Sequence, residues 1–342
     1  MKFLRFLLFP LSILYDLITK IRNLLFDFGV LKSTYFSLPV IVVGNLSVGG
    51  TGKTPQIEYL IRLLKDKYNI AVLSRGYKRK TTGFLIVNNS HSALHVGDEP
   101  LQYFKKFKNI TVAVNEKRKQ GIEELISQKL PKVILLDDAF QHRAVKGSFY
   151  ILLTKYDDLF TDDFLLPTGN LRESRAGVER TDIIIVTKCP LNLNQDQKEI
   201  ILAKFNKYKK DVFFTNISYA DKISGQYQFS LEELKDFEIL LITGIANPSP
   251  LLRFLKDQQI SFRHLKYPDH HQFSKKEISS INQSFENIKS NKKIILTTEK
   301  DYTRLSGELK ELCYLEIGIR FFDDKELAFN KMIMSHIDAY SV

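Results

Sequence analysis

What the sequence lacks narrows the class of protein. Cysteine occurs only twice, at Cys189 and Cys313, which lie far apart and form no metal-ligand spacing. Such thiols are typical of a protein in a reducing cytoplasm. There is no internal repeat, no low-complexity tract and no signature of RNA or DNA binding. These absences argue against a zinc protein and against a nucleic-acid-binding protein.

The sequence also lacks a hydrophobic run long enough to cross a membrane. A spanning helix needs about 20 mostly apolar residues, but Asp16 interrupts the apolar N-terminus after about ten uncharged positions. No small-residue cleavage site follows, as a signal peptide would require. Residues 1–34 are therefore predicted to form an amphipathic helix in the membrane interface, the alternative being a helix packed on the protein's own core. The basic side chains expected to face anionic headgroups are Lys2, Arg5, Lys20 and Arg22.

The sequence does contain enough apolar residues for a large core, together with an excess of positive charge. Apolar residues make up 44% of the 342 residues, and the formal net charge is +11. A chain of this length holds one large or two medium α/β domains. The charge indicates an anionic partner, for which a membrane surface or a phosphorylated substrate is favoured over nucleic acid.

Short β-branched runs alternate with helical patterns, which predicts a mostly parallel sheet flanked by helices. The first expected strands are 40–44, 70–74, 110–114, 132–137, 149–153 and 182–187. A helical stretch at 192–210 and an irregular stretch at 212–237 come next. A second set of strands is expected at 238–243, 261–265, 293–297 and 313–318. We therefore divide the chain into a core domain at 35–215 and a smaller C-terminal α/β domain at 216–342 that contributes to the active-site cleft.

A glycine-rich turn after the run 40–44 is the most informative motif. Its residues are Ser47, Val48, Gly49, Gly50, Thr51, Gly52, Lys53 and Thr54. Glycines let backbone amides approach phosphate oxygens, Lys53 supplies charge for the β- and γ-phosphates, and Thr54 suits Mg²⁺. This pattern predicts a P-loop that binds a nucleoside triphosphate. Val48 stands where dimerising regulatory ATPases carry a further lysine, which argues against that class.

Two pairs of carboxylates accompany the predicted strands. Asp137 and Asp138 end an apolar run, where a P-loop enzyme holds Mg²⁺, and Asp137 is the better candidate ligand. Asp98 and Glu99 lie in a turn before a predicted helix. They are interpreted either as helix-capping residues or as a general base and a second metal ligand.

Two further polar clusters suggest chemistry. Arg172 and Glu173 follow a turn, and an arginine there either neutralises charge on a transferring phosphoryl group or forms a solvated surface pair. Asp269, His270 and His271 precede a predicted helix and suggest acid–base chemistry. Their spacing differs from that of a helical zinc site, so catalytic zinc is disfavoured.

Together these motifs closely resemble the tetraacyldisaccharide 4'-kinase family of the lipid A pathway. The resemblance covers nearly the whole chain, and the ordered set of motifs is specific. Beyond the P-loop, its segments are 74–77, 96–100, 137–142, 169–173, 269–271 and 298–301. Ala139 stands where the family usually has glycine, and Asn170 where proline is common.

The resemblance implies transfer of the ATP γ-phosphoryl group to the 4'-hydroxyl of a tetraacylated glucosamine disaccharide 1-phosphate. It places the enzyme at the cytoplasmic face of a Gram-negative inner membrane. Separately, we expect a monomer. The resemblance also implies that Asp98 is the general base and that His270 either orients it or makes it more basic. The other expected roles are triphosphate binding by Lys53 and the loop amides, Mg²⁺ binding by Thr54, Asp137 and Glu99, and support of the reacting groups by Asp138, Arg172 and Glu173.

A membrane-associated nucleotide switch or metallochaperone GTPase is the alternative. Guanine recognition normally needs an Asn/Thr-Lys-x-Asp strand end. Thr187 and Lys188 begin in that way, but no aspartate follows them, so ATP is favoured. A kinase phosphorylates the added lipid, whereas a switch releases only inorganic phosphate. A non-enzymatic membrane scaffold is a third possibility, and it would not need the carboxylates alongside Lys53.

Overall fold

The central strands of the first half form where the sequence has its β-branched runs. In the computed structural model, which describes residues 5–340, β1 (Val40–Asn45) is buried along its whole length. It lies between β5 (Val133–Asp137) and β6 (Phe149–Lys155), and all three strands are parallel. The other strands of this half are β2 (Ile70–Ser74), β3 (Leu85–Ile86), β4 (Thr111–Val114) and β7 (Ile183–Thr187). The predicted strands of the first half are confirmed, and the short antiparallel edge strand β3 is an addition.

A second parallel set follows in the C-terminal half. Its strands are β9 (Glu238–Thr243), β10 (Phe262–Lys266), β11 (Lys293–Thr298) and β12 (Leu312–Phe321). Neighbouring strands of this set pair in the order β10, β9, β11, β12, and every pair is parallel. All four were predicted from their apolar runs and are confirmed.

One long strand joins the two sets into a single sheet, which has 12 strands within the described residues. Strand β8 (Asp211–Gly225) pairs in parallel with β7 over its first residues and antiparallel with β12 over the rest. The prediction of an irregular stretch here is wrong for most of its length. Exposed Asp221 and Lys222 interrupt the apolar alternation, and the register with β12 shifts at Leu315, so the pattern along the chain is obscured.

The register of β8 turns the carboxyl ends of the two parallel sets towards each other. Phe214 still pairs with Val186 near the carboxyl end of β7, and the next residue, Thr215, already pairs with Phe321 at the carboxyl end of β12. Beyond that point β8 continues past the edge of the first set. Because ligands of parallel α/β sheets bind at the carboxyl ends of strands, the two binding edges share one cleft.

Helices cover both faces of the sheet. They are α1 (Phe9–Asp27), α2 (Lys53–Leu64), α3 (Ala93–Val96), α4 (Asp98–Lys106), α5 (Arg118–Lys129), α6 (Gln195–Phe205), α7 (Ser249–Asp257), α8 (Lys275–Glu286), α9 (Glu299–Leu305) and α10 (Glu326–Asp338). Although α10 is the last of these helices in sequence, its Phe329 and Ile333 pack in the same cluster as Ile57 of the first half. The division near residue 215 falls inside β8 and stays a prediction.

Helix α1 turns its polar side inwards and its apolar side outwards. Ser12 and Thr19 are buried, whereas Ile13, Leu17 and Ile18 are each more than half exposed. The large apolar side chains of α1 therefore do not form a contact face against the core. No helix within residues 5–340 is long and apolar enough to cross a membrane.

The polar side of α1 mainly contacts residues 165–173, which we call the Arg172 loop. Near the end of the helix, Arg143 Nη1 also donates to the carbonyl of Asn23 at 2.8 Å. Ser12 Oγ donates to Thr168 Oγ1 at 2.7 Å. Arg5 Nε donates to the carbonyl of Pro167 at 3.0 Å, so the prediction that Arg5 faces lipid headgroups is wrong. Lys20 pairs with Asp16 at 2.6 Å on the helix itself. Lys2, also predicted to face headgroups, lies outside the described residues.

Candidate active site

The P-loop connects buried β1 to the first turn of α2. Gly49 and Gly52 have φ angles of +105° and +89°, a left-handed region that side chains with a Cβ rarely adopt. The ammonium of Lys53, at the start of α2, donates to Asn45 Oδ1 at 3.0 Å. It lies 3.5 Å from Asp138 Oδ1. The charge of Lys53 is therefore held at the carboxyl edge of the sheet.

Neighbouring segments hold the backbone of the P-loop. Thr187 Oγ1 donates to the carbonyl of Thr51 at 2.8 Å, and Lys188 Nζ donates to the carbonyl of Gly50 at 2.6 Å. The two residues that begin like a guanine-binding motif thus support the loop. The amide of Val48, predicted to face phosphate, donates instead to the carbonyl of Asn170 at 2.8 Å.

Asp137 and Asp138 leave β5 beside the P-loop strand, because Val43 of β1 is in register with Asp137. Burial raises the pKa of Asp137 to about 7, and the negative charges of Asp138 and Glu99 add to the increase. Ser74 Oγ donates to Asp137 Oδ2 at 3.2 Å. The surroundings of Asp137 therefore favour either a proton on its carboxylate or a cation bound beside it.

Asp138 has cationic neighbours. Arg172 Nη1 donates to both of its carboxylate oxygens, at 3.0 and 3.2 Å. Burial alone would raise the pKa of Asp138, but the positive charges of Lys53 and Arg172 outweigh it and lower the pKa. Three predicted site residues, Lys53, Asp138 and Arg172, thus form one cluster.

Glu173 points away from that cluster although it follows Arg172 in sequence. Its fully buried carboxylate accepts hydrogen bonds from Gln141 Nε2 at 3.1 Å, from Arg180 Nη2 at 2.9 Å and from Asn23 Nδ2 at 3.3 Å. Asn23 belongs to α1. The contacts of Glu173 therefore tie α1 to the polypeptide beside the P-loop.

Asp98 begins α4 and meets the second half of the chain across the cleft. Its Oδ2 is 2.7 Å from His270 Nδ1. Arg304 Nε donates to Asp98 Oδ1 at 2.7 Å, and Arg304 Nη2 donates to Oδ2. Burial acts to raise the pKa of Asp98, but the hydrogen bonds from His270 and Arg304 outweigh it and lower the pKa to about 2.

Lys300 favours one tautomer of His270. Its ammonium lies 2.9 Å from His270 Nε2 and can only donate, which favours the tautomer in which Nε2 accepts and Nδ1 donates to Asp98 at 2.7 Å. Arg304 Nη2 lies farther from Nδ1, at 3.2 Å. Lys300 Nζ is also 3.7 Å from Glu99 Oε1. Segment 298–301 was noted in the sequence without a role for Lys300, and Arg304 was missed. Arg304 has no local motif, because its contact with Asp98 spans 206 residues of chain.

The predicted Mg²⁺ residues have suitable chemistry. Glu99 is close enough to Asp137 for its negative charge to raise the pKa of Asp137. Thr54 lies on the first turn of α2. Between residues 5 and 340 no group of three or more His, Cys, Asp or Glu side chains is arranged to hold a metal by itself. Mg²⁺ usually takes one or two carboxylates and completes its shell with phosphate oxygens and water. The residues present fit that ion.

Comparison with known proteins gives a consistent result. The family model described as tetraacyldisaccharide-1-P 4'-kinase matches residues 4–338. A protein of Flavobacterium psychrophilum named tetraacyldisaccharide 4'-kinase is 53% identical over 99% of this chain and 98% of its own length. Its namesake from Flavobacterium johnsoniae is 52% identical over 98% of each chain. The crystal structure of LpxK from Aquifex aeolicus in complex with ATP superposes with a TM-score of 0.80 at 32% identity, covering 98% of this chain and 99% of that one.

Proposed function

The chain belongs to the tetraacyldisaccharide 4'-kinase family, and we propose the residues by which it transfers a phosphoryl group from ATP to a lipid disaccharide. The acceptor is the 4'-hydroxyl of a tetraacylated glucosamine disaccharide 1-phosphate. The assignment of residues depends mainly on one contact, that of Asp98 with His270, whose side chains are 2.7 Å apart. The two residues come from different halves of the chain, and the strand ends of both halves face one cleft.

Lys53 and Arg172 act on the transferring phosphoryl group. Phosphoryl transfer depends mainly on positioning and on stabilising charge on the phosphate oxygens. Both cations contact Asp138, which keeps two flexible side chains at the same place. Arg172 offers a planar fork of donors, and Lys53 a compact charge, so together they suit the β- and γ-phosphates.

Asp98 accepts the proton of the attacking 4'-hydroxyl. A carboxylate has about four acceptor positions. Three hydrogen bonds reach Asp98, one from His270 and two from Arg304, which leaves a position for the sugar hydroxyl. His270 and Arg304 orient the carboxylate, and Lys300 keeps His270 in the tautomer that donates to it.

Mg²⁺ would be held by Thr54, Asp137 and Glu99, and it would screen the negative charge of the triphosphate when bound. The negative charges of Asp138 and Glu99 disfavour an ionised Asp137 carboxylate that has no cation beside it, which supports this role. Glu173 is buried among hydrogen-bond donors, so its proposed role is to position the polypeptide beside Arg172.

Helix α1 lies in the membrane interface, so that the active site meets a substrate that stays in the bilayer. Removing an acyl chain from lipid costs about 0.8 kcal/mol for each CH₂ group. The inverted arrangement of α1, with Ser12 buried and Leu17 and Ile18 exposed, supports this orientation. Phe164 packs edge-on against Phe6 and extends the same apolar surface. We place the protein as a monomer at the cytoplasmic face of the inner membrane.

The kinase activity is tested with purified protein, ATP, Mg²⁺ and the tetraacyl disaccharide 1-phosphate in detergent micelles. We expect the mass of the lipid to increase by one phosphoryl group. Release of inorganic phosphate without a phosphorylated lipid would favour the nucleotide switch and would contradict the proposal.

The membrane role of α1 is tested by sedimentation with phosphatidylglycerol vesicles. Ile18→Ser is expected to reduce the bound fraction, because Ile18 is 58% exposed on the outward side of α1. Ile200→Ser is the matched control, since Ile200 is 62% exposed on α6. Equal binding of the two variants would contradict a specific role of α1.

A further inference from the structure

The polar contacts of α1 converge on the segment that carries Arg172. Tyr15 Oη donates to the backbone carbonyl of Arg172 at 2.8 Å. Ser12 reaches Thr168 in the same loop, and Asn23 reaches Glu173. Three positions along the inward side of α1 therefore bond to residues 168–173. Most polar contacts of this side of the helix are with one loop, and Arg143, which donates to Asn23 and Asp27, is the exception.

Arg172 links this helix to the reaction centre through three separate groups. Its carbonyl accepts from Tyr15, and its amide donates to the carbonyl of Leu46 at 2.6 Å, directly before the P-loop. Its guanidinium holds Asp138, which is also 3.5 Å from Lys53. One chain of contacts from α1 to the P-loop lysine thus passes through Arg172. A second chain runs from Asn23 through Glu173, Gln141 and Asn45 to Lys53.

The contacts with α1 add to a small set of backbone hydrogen bonds that hold the Arg172 loop, such as the one from the Val48 amide to the Asn170 carbonyl. The loop contains no helix, and its only ladder contacts are isolated bridges, of Leu171 with Ser47 and with Leu165. A phosphoryl-transfer site is sensitive to displacements of a charged donor by a fraction of an ångström. A hydrogen bond that fixes the Arg172 carbonyl therefore affects where its guanidinium lies.

We propose that Tyr15 is a positioning residue for phosphoryl transfer, which it serves by fixing Arg172. The proposal rests on the proposed kinase function and adds to the membrane role of α1. The helix is on this view a part of the active site, because its lipid-facing side and its Arg172-holding side are one rigid element. Tyr15 itself does not contact the reacting groups.

The test is Tyr15→Phe, which removes one hydroxyl and keeps the ring. We expect kcat with the tetraacyl disaccharide 1-phosphate in mixed micelles to fall about fivefold. The KM for ATP and the binding to phosphatidylglycerol vesicles are expected to stay unchanged. Tyr35→Phe is the matched control, since Tyr35 is 66% exposed and its substitution should leave kcat unaltered.

A second background tests the route through Arg172. In an Arg172→Ala protein, Tyr15→Phe should cause no further loss of kcat, because the group that it positions is absent. An unchanged kcat in the single variant, a loss confined to vesicle binding or KM, or an equal fold-loss in both backgrounds would each overturn the inference. The unaltered chain is assayed first, so that absence of any lipid product counts against the kinase function instead.

Discussion

Asp98 and Asp137 are both buried carboxylates of the same cleft, yet their surroundings act on them in opposite directions. Burial acts to raise the pKa of each. Around Asp98, His270 and Arg304 overcome burial and lower its pKa to about 2. Around Asp137, the negative charges of Asp138 and Glu99 add to burial and raise its pKa to about 7.

The difference separates two tasks within one site. Asp98 has its countercharges within the protein, so its carboxylate is oriented before the substrate arrives. Asp137 lacks a comparable partner and is suited to a cation that enters with the nucleotide. When environments push two acids apart in this way, their chemical roles usually differ as well.

Lys53→Ala should have the largest effect. It removes the charge that we propose to face the triphosphate and leaves Asp138 with Arg172 alone. We expect kinase turnover to fall by about a thousandfold. Lys119→Ala is the control, since Lys119 is half exposed on α5 and distant from the motif in sequence. Near-normal turnover of the Lys53 variant would contradict its assignment to phosphate binding.

Asp98→Asn should lower turnover by about a hundredfold, because the amide cannot accept a proton from the sugar hydroxyl. ATP affinity, measured by calorimetry, should be retained, since the Asp98 contacts do not include the P-loop. If ATP affinity falls as much as turnover, Asp98 is a structural residue and the contrast with Asp137 loses its meaning.

Arg304→Gln should shift the pH dependence of turnover. With its pKa lowered from 3.8 to about 2, Asp98 is ionised at every pH used for assay. Loss of the guanidinium leaves burial to raise that pKa, so the acidic limb of the kcat/KM profile should move to higher pH. The measurement is a pH–rate profile of both proteins. Superimposable acidic limbs would show that Arg304 does not control Asp98.

Glu299→Gln should have the smallest effect, on stability. Burial and the charge of Glu58 raise the pKa of Glu299 from 4.5 to about 7, although Lys106 opposes the shift. A raised pKa means that folding stability falls as the pH rises from 4.5 to about 7. The variant lacks this loss, so its Tm relative to the unaltered chain should rise across that interval. A constant difference in Tm would contradict the raised pKa.

Much of the fold could be predicted from sequence because its buried strands are continuous β-branched runs. The strand that joins the two halves could not, since its pattern changes where it leaves β7 and pairs with β12. The apolar character of α1 was evident in the sequence. The pattern did not show that Ser12 and Tyr15 face the protein while the leucines face outwards.

Some residues of the candidate site could likewise be predicted from sequence, and others could not. Lys53, Asp137 and Asp138 follow local strand-and-loop patterns, so their places beside one another could be predicted. Arg304 could not, because it reaches Asp98 only through the meeting of two distant segments. The direction of the Glu173 side chain could not be predicted either. Glu173 follows Arg172 in sequence, but its carboxylate pairs with Arg180.

Strand β8 has a mechanical consequence. Because it is hydrogen-bonded to β7 at one end and to β12 at the other, the two strand sets that carry Asp98 and His270 are joined by a paired strand and not by a loop. Increasing the distance between Asp98 and His270 would require β8 to bend or to change its twist. We therefore expect substitutions along β8 to alter how easily the cleft widens for a bulky sugar, without changing any reacting group.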